Sequence, residues 1–492
     1  MMLVNPRLYE INTRVWIKQF GEHTTLSEIP FEVFENFAEM GIDIIWLMGI
    51  WKTCTNIIDK SCFSVDLISS YNKSLKDWKK EDVIGSPFSI DTYEINPSLG
   101  NRNDLLELRK KLNEVGLKLF LDYVPNHFGA DSELIKTKPE IFLQADEELL
   151  EKDPHTFYRP LDNERCIFAH GRDPLFPAWT DTIQVNYFNE EARRFMTGVL
   201  LDLPEICDGV RCDVAMLPMN NVFNNTWVGV LNKYNYKKPQ TEFWKDAIKN
   251  TKSKFPDFIF LGEAYWDLEW DLQQLGFDYT YDKRLADRLV VDDIIGVKGH
   301  LNANKLFQEK SVRFLENHDE PRAVAKFGKE KSLAAAVIIS TLQGMKLYHD
   351  GQFDGKKIKL PVQLGREPEE KTSGRIKAFY ENLLEITDNE IFRSGKWSML
   401  EPFAAGQENN SFHNFFAWEL ELRGEKRIIV INYSASTSQC RLKFDINTKK
   451  QDIILNDLLN NESYIRSVNE IKTNGLFIEL KSYHSHIFAI VY

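Results

Sequence analysis

Cysteine is scarce. Six residues of 492 are Cys54, Cys62, Cys166, Cys207, Cys212 and Cys440, with no CxxC pair among them. That argues against a disulfide scaffold and against a zinc ribbon, and it predicts reduced thiols. Long apolar runs are also missing. The longest, such as 41–51 and 334–342, fall far short of the roughly 20 residues that cross a bilayer, so no membrane partner is expected. A basic excess is absent too: 61 Lys and Arg stand against 73 Asp and Glu, a net charge of −12. An acidic chain repels phosphate backbones, which argues against nucleic acid as a partner. Residues 1–16 lack a basic segment followed by an apolar one, and a cytoplasmic protein is the expectation. Histidines number ten. The sole HxH motif is His484–Ser485–His486, far from the other candidate residues, which disfavours a metal-dependent hydrolase.

What is present is the mixture of an ordinary globular protein, 43% hydrophobic and 27% charged. Short apolar runs alternate with helical periodicity. Strand candidates are 8–17, 43–48, 117–124, 208–214, 258–264, 277–281, 312–316 and 345–348. Helical stretches at 31–40, 103–115, 190–203, 241–253 and 331–343 precede most of them. Repeated strand–helix units favour a parallel sheet with right-handed crossovers. Eight of them predict an α/β protein built on a (β/α)8 TIM-type barrel. An inserted subdomain, rich in Pro, Asp and aromatics, follows strand 3. From about residue 391 the texture changes to short β-rich runs separated by turns, which predicts a C-terminal antiparallel β-sandwich. The resulting division is 1–127 and 183–390 for the barrel, 128–182 for the insert and 391–492 for the C-terminal domain.

Chemistry in such barrels sits at the C-terminal strand ends. There the sequence places Asp122, Asn126 and His127 after strand 3, Arg211 and Asp213 after strand 4, and Glu263 after strand 5. Asn317, His318 and Asp319 follow strand 7, and His349 and Asp350 follow strand 8. Four convergent carboxylates, Asp122, Asp213, Glu263 and Asp319, admit two chemistries. One is binding of a hard divalent cation. The other is acid/base and nucleophilic work on a neutral polar substrate, which needs two carboxyls of different pKa. Arg211, two residues from Asp213, is placed to keep that carboxylate ionised. Glu263, in the run LGEAYW, has apolar and aromatic neighbours that suit a proton donor. Trp16, Trp46, Phe88, Tyr93, Trp179, Tyr265 and Trp266 offer flat faces on which sugar rings stack. Phe88 and Tyr93 precede strand 3 and are the expected pocket-lining pair. Cys212 alternates away from Arg211 and Asp213 and is expected in outer packing.

These motifs together resemble the α-amylase superfamily of retaining glycoside hydrolases. DYVPNH (122–127), GVRCDVA (209–215), GEAYW (262–266) and FLENHD (314–319) resemble its four best-known regions, in order. DTYEINPSLG (91–100) and QVNYFN (184–189) resemble the approaches to its third and fourth strands. The resemblance implies Asp213 as nucleophile, Glu263 as acid/base and Asp319 as transition-state stabiliser. It implies substrate-binding roles for Asp122, His127, Arg211 and His318, and an α-linked oligosaccharide or polysaccharide as substrate. No cofactor is required for that chemistry. Asn126 matches a position that often holds structural Ca²⁺, with Asp162, Asp173 and Asp181 as candidate further ligands. Where many relatives carry a Lys-His pair after the nucleophile, this chain has Met216 and Leu217, which sets its leaving-group side apart from ordinary endo-acting starch hydrolysis. The stretches 168–181 and 359–367 are likewise unusual. An α-glucan transglycosylase or glycosyl phosphorylase sharing the covalent intermediate is the main alternative. A non-catalytic amylase-like subunit is a weaker one, since all three acids are present.

Overall fold

The computed structural model describes residues 3–160 and 165–492. Eight parallel strands close into a barrel: β1 (Arg7–Asn12), β2 (Ile44–Met48), β3 (Lys118–Tyr123), β4 (Gly209–Cys212), β5 (Ile259–Gly262), β6 (Tyr279–Tyr281), β7 (Ser311–Arg313) and β8 (Met345–His349). Each pairs with its neighbours in chain order, and β1 pairs with β8 to complete the ring. The alternation of strands and helices in the sequence is therefore borne out as a closed (β/α)8 barrel.

The pleat sorts the side chains. Leu8, Ile44, Trp46, Met48, Phe120, Ile259, Leu261, Tyr279, Val312, Met345 and Leu347 form one apolar cluster, filling the barrel interior. Residues at the other parity face the surrounding helices. The interior is apolar toward the N-terminal strand ends and turns polar toward the C-terminal ends, where Glu10, Asp122, Arg211 and Glu263 are buried. Gly209 lets this interior close. A Cβ there would lie 2.6 Å from Phe120 Cζ and 2.8 Å from the Ile259 carbonyl oxygen. Gly209→Ala should therefore lower stability by about 1–3 kcal/mol through overpacking. A chemical-denaturation midpoint equal to the parent's would show that Phe120 repacks freely.

Some local expectations need correction. The apolar run 8–17 is not one strand. It ends at Asn12 and turns into the short helix Thr13–Trp16, whose first three residues are all buried. Burial on every side removes the polar punctuation that marks a boundary in sequence. The helix Asn220–Lys233 between β4 and β5 also escapes the sequence reading. After β2 the chain makes an excursion, with Trp51–Thr53 pairing antiparallel to Ile90–Ile95, before the helix Arg102–Glu114 returns to the barrel.

The segment after β3 leaves through His127–Gly129 and returns antiparallel through Thr182–Gln184. Between them lies a small three-stranded sheet of Gln144–Ala145, Phe157–Tyr158 and Ile167–Ala169. Asp162 lies outside the described residues.

In the C-terminal domain, β9 (Lys396–Met399), β10 (Phe415–Leu422), β11 (Glu425–Asn432), β12 (Ser438–Leu442), β13 (Asp452–Asp457), β14 (Glu462–Ser467), β15 (Leu476–Leu480) and β16 (Ser485–Val491) follow in turn. Six form an antiparallel sheet ordered β9-β10-β11-β16-β13-β14, and β12 pairs with β15. Alternation along β10 and β11 builds two cores at once. Phe415, Ala417, Ile428 and Val430 meet Cys440, Leu442, Ile478 and Leu480 of the β12–β15 pair. Phe416, Trp418, Ile429 and Ile431 join the main core. Trp418 Nε1 donates to Thr341 Oγ1 at 3.2 Å and Tyr433 OH to the Leu289 carbonyl at 2.9 Å. The helix Lys329–Thr341 is buried on all sides, which explains its uninterrupted Ala, Val and Ile content. β14 is half exposed with no alternating burial, so it carries little hydrophobic signal.

Candidate active site

Register brings the charged residues together. Asp122 on β3 is the direct Cα partner of Arg211 on β4. Arg211 is in turn opposite Leu261 on β5, and Glu263 lies two residues further along the same face. Asp213, just past β4, is anchored by its own N–H to the Tyr123 carbonyl at 2.8 Å. The Arg211 guanidinium is fully buried and forks between the two acids. Nη1 lies 2.5 Å from Asp213 Oδ1 and Nη2 lies 2.7 Å from Glu263 Oε2. Asp122 Oδ1 is 3.5 Å from Nη1. The aromatic faces of Trp46, Phe88 and Tyr281 surround the same guanidinium at 5.2, 5.4 and 5.8 Å.

Glu263 is held by three groups. Beyond Arg211, the Val214 N–H donates to Oε2 at 2.6 Å and Tyr265 OH to Oε1 at 2.8 Å. Val214 pays for this with φ = +37°. A β-branched residue in the left-handed region is strained, and strain of this kind concentrates at functional sites. Trp266 and Asp267, also just after Glu263, have φ of +64° and +62°.

At the far wall, His318 Nδ1 is 2.5 Å from Glu10 Oε1 and Nε2 is 3.0 Å from Asp319 Oδ2. Glu10 is wholly buried on β1, in register with Trp46 and His349. Asp319 stands half exposed at the mouth.

Five carboxyl groups thus crowd around two cations, Arg211 and His318, and cannot all ionise at little cost. Burial pushes Glu263 up to about 7, with repulsion from Asp213 and Asp319 reinforcing it against Arg211 and the Val214 N–H. Asp122 also rises to about 7, chiefly by burial. Asp213 rises by burial too, opposed by the charge and hydrogen bond of Arg211. Asp319 goes the other way. His318 overcomes its desolvation and holds it well below the usual carboxylate range. Burial works against the His318 charge, but Asp319 and Glu10 outweigh it and push the imidazole up to about 10. His127, with burial and no carboxylate beside it, falls to about 3 and is neutral.

These groups open onto a cleft of about 1170 Å³. Of the residues singled out from the sequence, Asp213, Glu263, Asp319, His127 and Phe88 line it. Asp122, Arg211 and His318 are buried one layer beneath the lining residues. Trp179, Tyr265 and Trp266 add aromatic surface, with Asp173, Phe176 and Asp181 of the insert overhanging the mouth. Met216 lines the cleft as well. Cys212 is buried in the outer core, as alternation requires.

Tyr93 does not line the pocket. Its hydroxyl donates to the Val124 carbonyl at 3.0 Å and accepts from the Val124 N–H at 2.9 Å. Its ring packs on Trp51 and Tyr123 outside the barrel. The strand that carries Tyr93 pairs with Trp51–Thr53 rather than joining the barrel. Tyr93 therefore braces the loop that leads to His127.

Asn126 is buried beside the returning strand of the insert. Its Oδ1 accepts from Gln184 Nε2 at 2.9 Å. Asp173 Oδ1 is taken by the N–H groups of Leu175 and Phe176. No three His, Cys, Asp or Glu residues converge in a metal-holding group among the described residues.

Among the residues that sequence reasoning does not single out are Glu10 and, within the stretch 359–367 marked only as unusual, Gln363. Glu10 lies in an apolar strand, and a charged residue amid LYEIN is the signal that marks it. Gln363 lines the cleft from the stretch after β8. That stretch is tied to the excursion after β2 by Ile84 N–H to the Gln363 carbonyl at 2.8 Å and Gly365 N–H to the Asp82 carbonyl at 2.7 Å.

Known proteins share this architecture. A noncanonic maltogenic α-amylase from Thermotoga neapolitana superposes with a TM-score of 0.69 at 21% identity, over 99% of both chains. "Alpha-amylase 3" of Dictyoglomus thermophilum is 22% identical over 92% of this chain and 88% of its own. A cyclomaltodextrinase of Thermoanaerobacter pseudethanolicus is 22% identical over 81% of this chain and 64% of its own. The family model described as the α-amylase catalytic domain matches residues 34–410, a span that takes in all four acids at the strand ends, and the chain belongs to that family.

Proposed function

We propose that this protein hydrolyses α-glucosidic bonds in oligo- or polysaccharides by double displacement with retention of configuration. Asp213 attacks the anomeric carbon while Glu263 protonates the departing glycosidic oxygen. The covalent glucosyl-enzyme then reacts with water, which Glu263 deprotonates as it returns to its starting state. Asp319, kept ionised by His318, holds sugar hydroxyls and supports the oxocarbenium-like charge. His127, neutral and facing the cleft, donates a hydrogen bond to the bound ring.

One observation carries the reading. A single buried guanidinium bridges two carboxyls whose surroundings differ: Glu263 is raised to about 7 and Asp213 keeps the closer ion pair. Two acids set apart in this way supply a donor and a nucleophile at the same pH. The relatives named α-amylase and cyclomaltodextrinase support an α-glucan as the substrate class. The chemistry is assigned to side chains alone. A cytoplasmic location belongs to the same reading and is supported by the six free cysteines. No helix among the described residues is long and apolar enough to cross a membrane.

The test is to incubate the protein with maltooligosaccharides and follow the product anomers by NMR. The α-anomer is expected first, at a rate unchanged by a chelator. An initial β-anomer would refute the mechanism. Products longer than the substrate, or a sugar phosphate when phosphate is added, would turn the assignment to a transferase or phosphorylase.

A further inference from the structure

The stretch after β8 is fastened across the barrel mouth to the excursion after β2. Val83 and Leu364 pair as an antiparallel bridge. The bonds from Ile84 N–H to Gln363 and from Gly365 N–H to Asp82 flank it. Leu364 is fully buried with Val83, Tyr71 and Leu75 in an apolar plug. On one side of the seam the Arg366 guanidinium forks onto Asp82, with Nε 3.0 Å from Oδ1 and Nη2 2.9 Å from Oδ2. On the other the buried Arg14, in the short helix after β1, joins both segments. Its Nη2 donates to the Gly85 carbonyl at 2.9 Å and to the Val362 carbonyl at 2.8 Å. A backbone bridge, an apolar plug and two guanidinium groups thus make a wall of these segments.

Both segments of the wall reach the corner formed by His318 and Asp319. The Phe88 ring lies 5.3 Å from that of His318. From the other segment, Lys359 Nζ donates to the Asp319 carbonyl. Leu364 turns into the plug, while its neighbour Gln363 lines the cleft with Ser86 and Phe88. Beyond the wall is a separate cavity of about 980 Å³, bounded by Ile358, Arg366 and Glu367 among others, and no described residue lines both it and the cleft. The order of strands in the ring places β1 diametrically across from β5. The wall joins the segments after β8 and β2, which flank β1, so it faces Glu263 across the mouth. A leaving group departs toward Glu263. The opposite end of the substrate meets the wall.

We propose that this wall closes the cleft one sugar ring beyond the scissile bond, so that the enzyme removes single glucosyl units from the non-reducing end of its substrate, with the Gln363 side-chain amide recognising the terminal 4-hydroxyl. The proposal rests on the function proposed above and settles where along a chain the cleavage falls. An internal bond cannot reach Asp213, because the sugars on its non-reducing side would have to pass through the seam between Val83 and Leu364.

The experiment compares 4-nitrophenyl α-maltopentaoside with the same glycoside carrying an ethylidene acetal on its terminal 4- and 6-hydroxyls. Glucose should be the first sugar released from the free-ended substrate, and the blocked one should react at least about 100-fold more slowly. Comparable rates on both, or maltose or a longer saccharide as the first product, would overturn the proposal. Calorimetric titration of the two glycosides into Asp213→Asn separates this from the catalytic reading. The free-ended glycoside should bind about tenfold more tightly or better, and equal affinity would overturn the proposal even if the parent showed no turnover. That difference in affinity without turnover would instead count against the catalytic reading alone. The amide is tested with 4-nitrophenyl α-glucoside and its 4-deoxy analogue. Loss of the hydroxyl should lower kcat/KM about fivefold in the parent and much less in Gln363→Ala. The same penalty in both proteins would remove Gln363 from the role.

Discussion

Asp213→Asn should lower kcat on maltooligosaccharides by on the order of 10⁴-fold or more, because the amide cannot form the covalent intermediate. Glu263→Gln should cost about 10²–10⁴-fold on the same substrates, the usual worth of a positioned general acid. The two variants part company when the leaving group changes. α-Glucosyl fluoride departs with little need of a proton, so Glu263→Gln should form the glucosyl-enzyme readily from it, while Asp213→Asn should stay inactive. Equal recovery in both would break the division of roles. The pH profile adds a sign. Glu263 must carry its proton when the bond breaks and sits near 7, so the parent's rate should fall as pH rises through about 7. The acid limb reports ionisation of Asp213, which burial raises. Because the two titrate together, the limbs describe the pair. In Glu263→Gln acting on the fluoride, the alkaline fall of the first step should disappear.

Replacing Arg211 has the second large effect, and here activity and stability move together. Arg211→Met leaves Asp122, Asp213 and Glu263 buried around an uncharged side chain. Breaking a buried pair on one side costs about 3–5 kcal/mol, and activity should fall with it. The pH dependence separates this from simple loss of packing. Carboxyls held above their unfolded pKa bind more protons in the folded state, so folding loses stability as pH rises from the unfolded value through the folded one. Removing Arg211 raises all three further. The stability deficit of the variant, measured by denaturant unfolding, should therefore be larger at pH 8 than at pH 5. A deficit independent of pH would mean that the guanidinium serves only as filler. Arg211→Lys should recover part of the stability but little of the activity, since one ammonium cannot span Asp213 and Glu263 as a fork does.

Much of this site is legible in the chain because each acid is tied to a recognisable strand end. Asp122, Asp213, Glu263 and Asp319 could be singled out from the alternation of strand and helix together with the four motifs. Tyr93 could not be placed, since its strand leaves the barrel to pair with Trp51–Thr53 and turns the ring away from the cleft. Glu10 was overlooked because its partner, His318, is 308 residues away. The hydrogen bond from Gln184, on the returning strand of the insert, to Asn126 Oδ1 was likewise beyond local reading, since 58 residues separate the two.

The sequence by itself determined the barrel, the C-terminal β-rich domain and the identity of the acids, because period and strand-end chemistry are local properties. Only the tertiary structure decided which acids reach solvent, which stand behind them and which keep a proton. Those outcomes depend on register, burial and the sharing of one guanidinium among three carboxyls, and each is a sum over neighbours that the linear order does not contain.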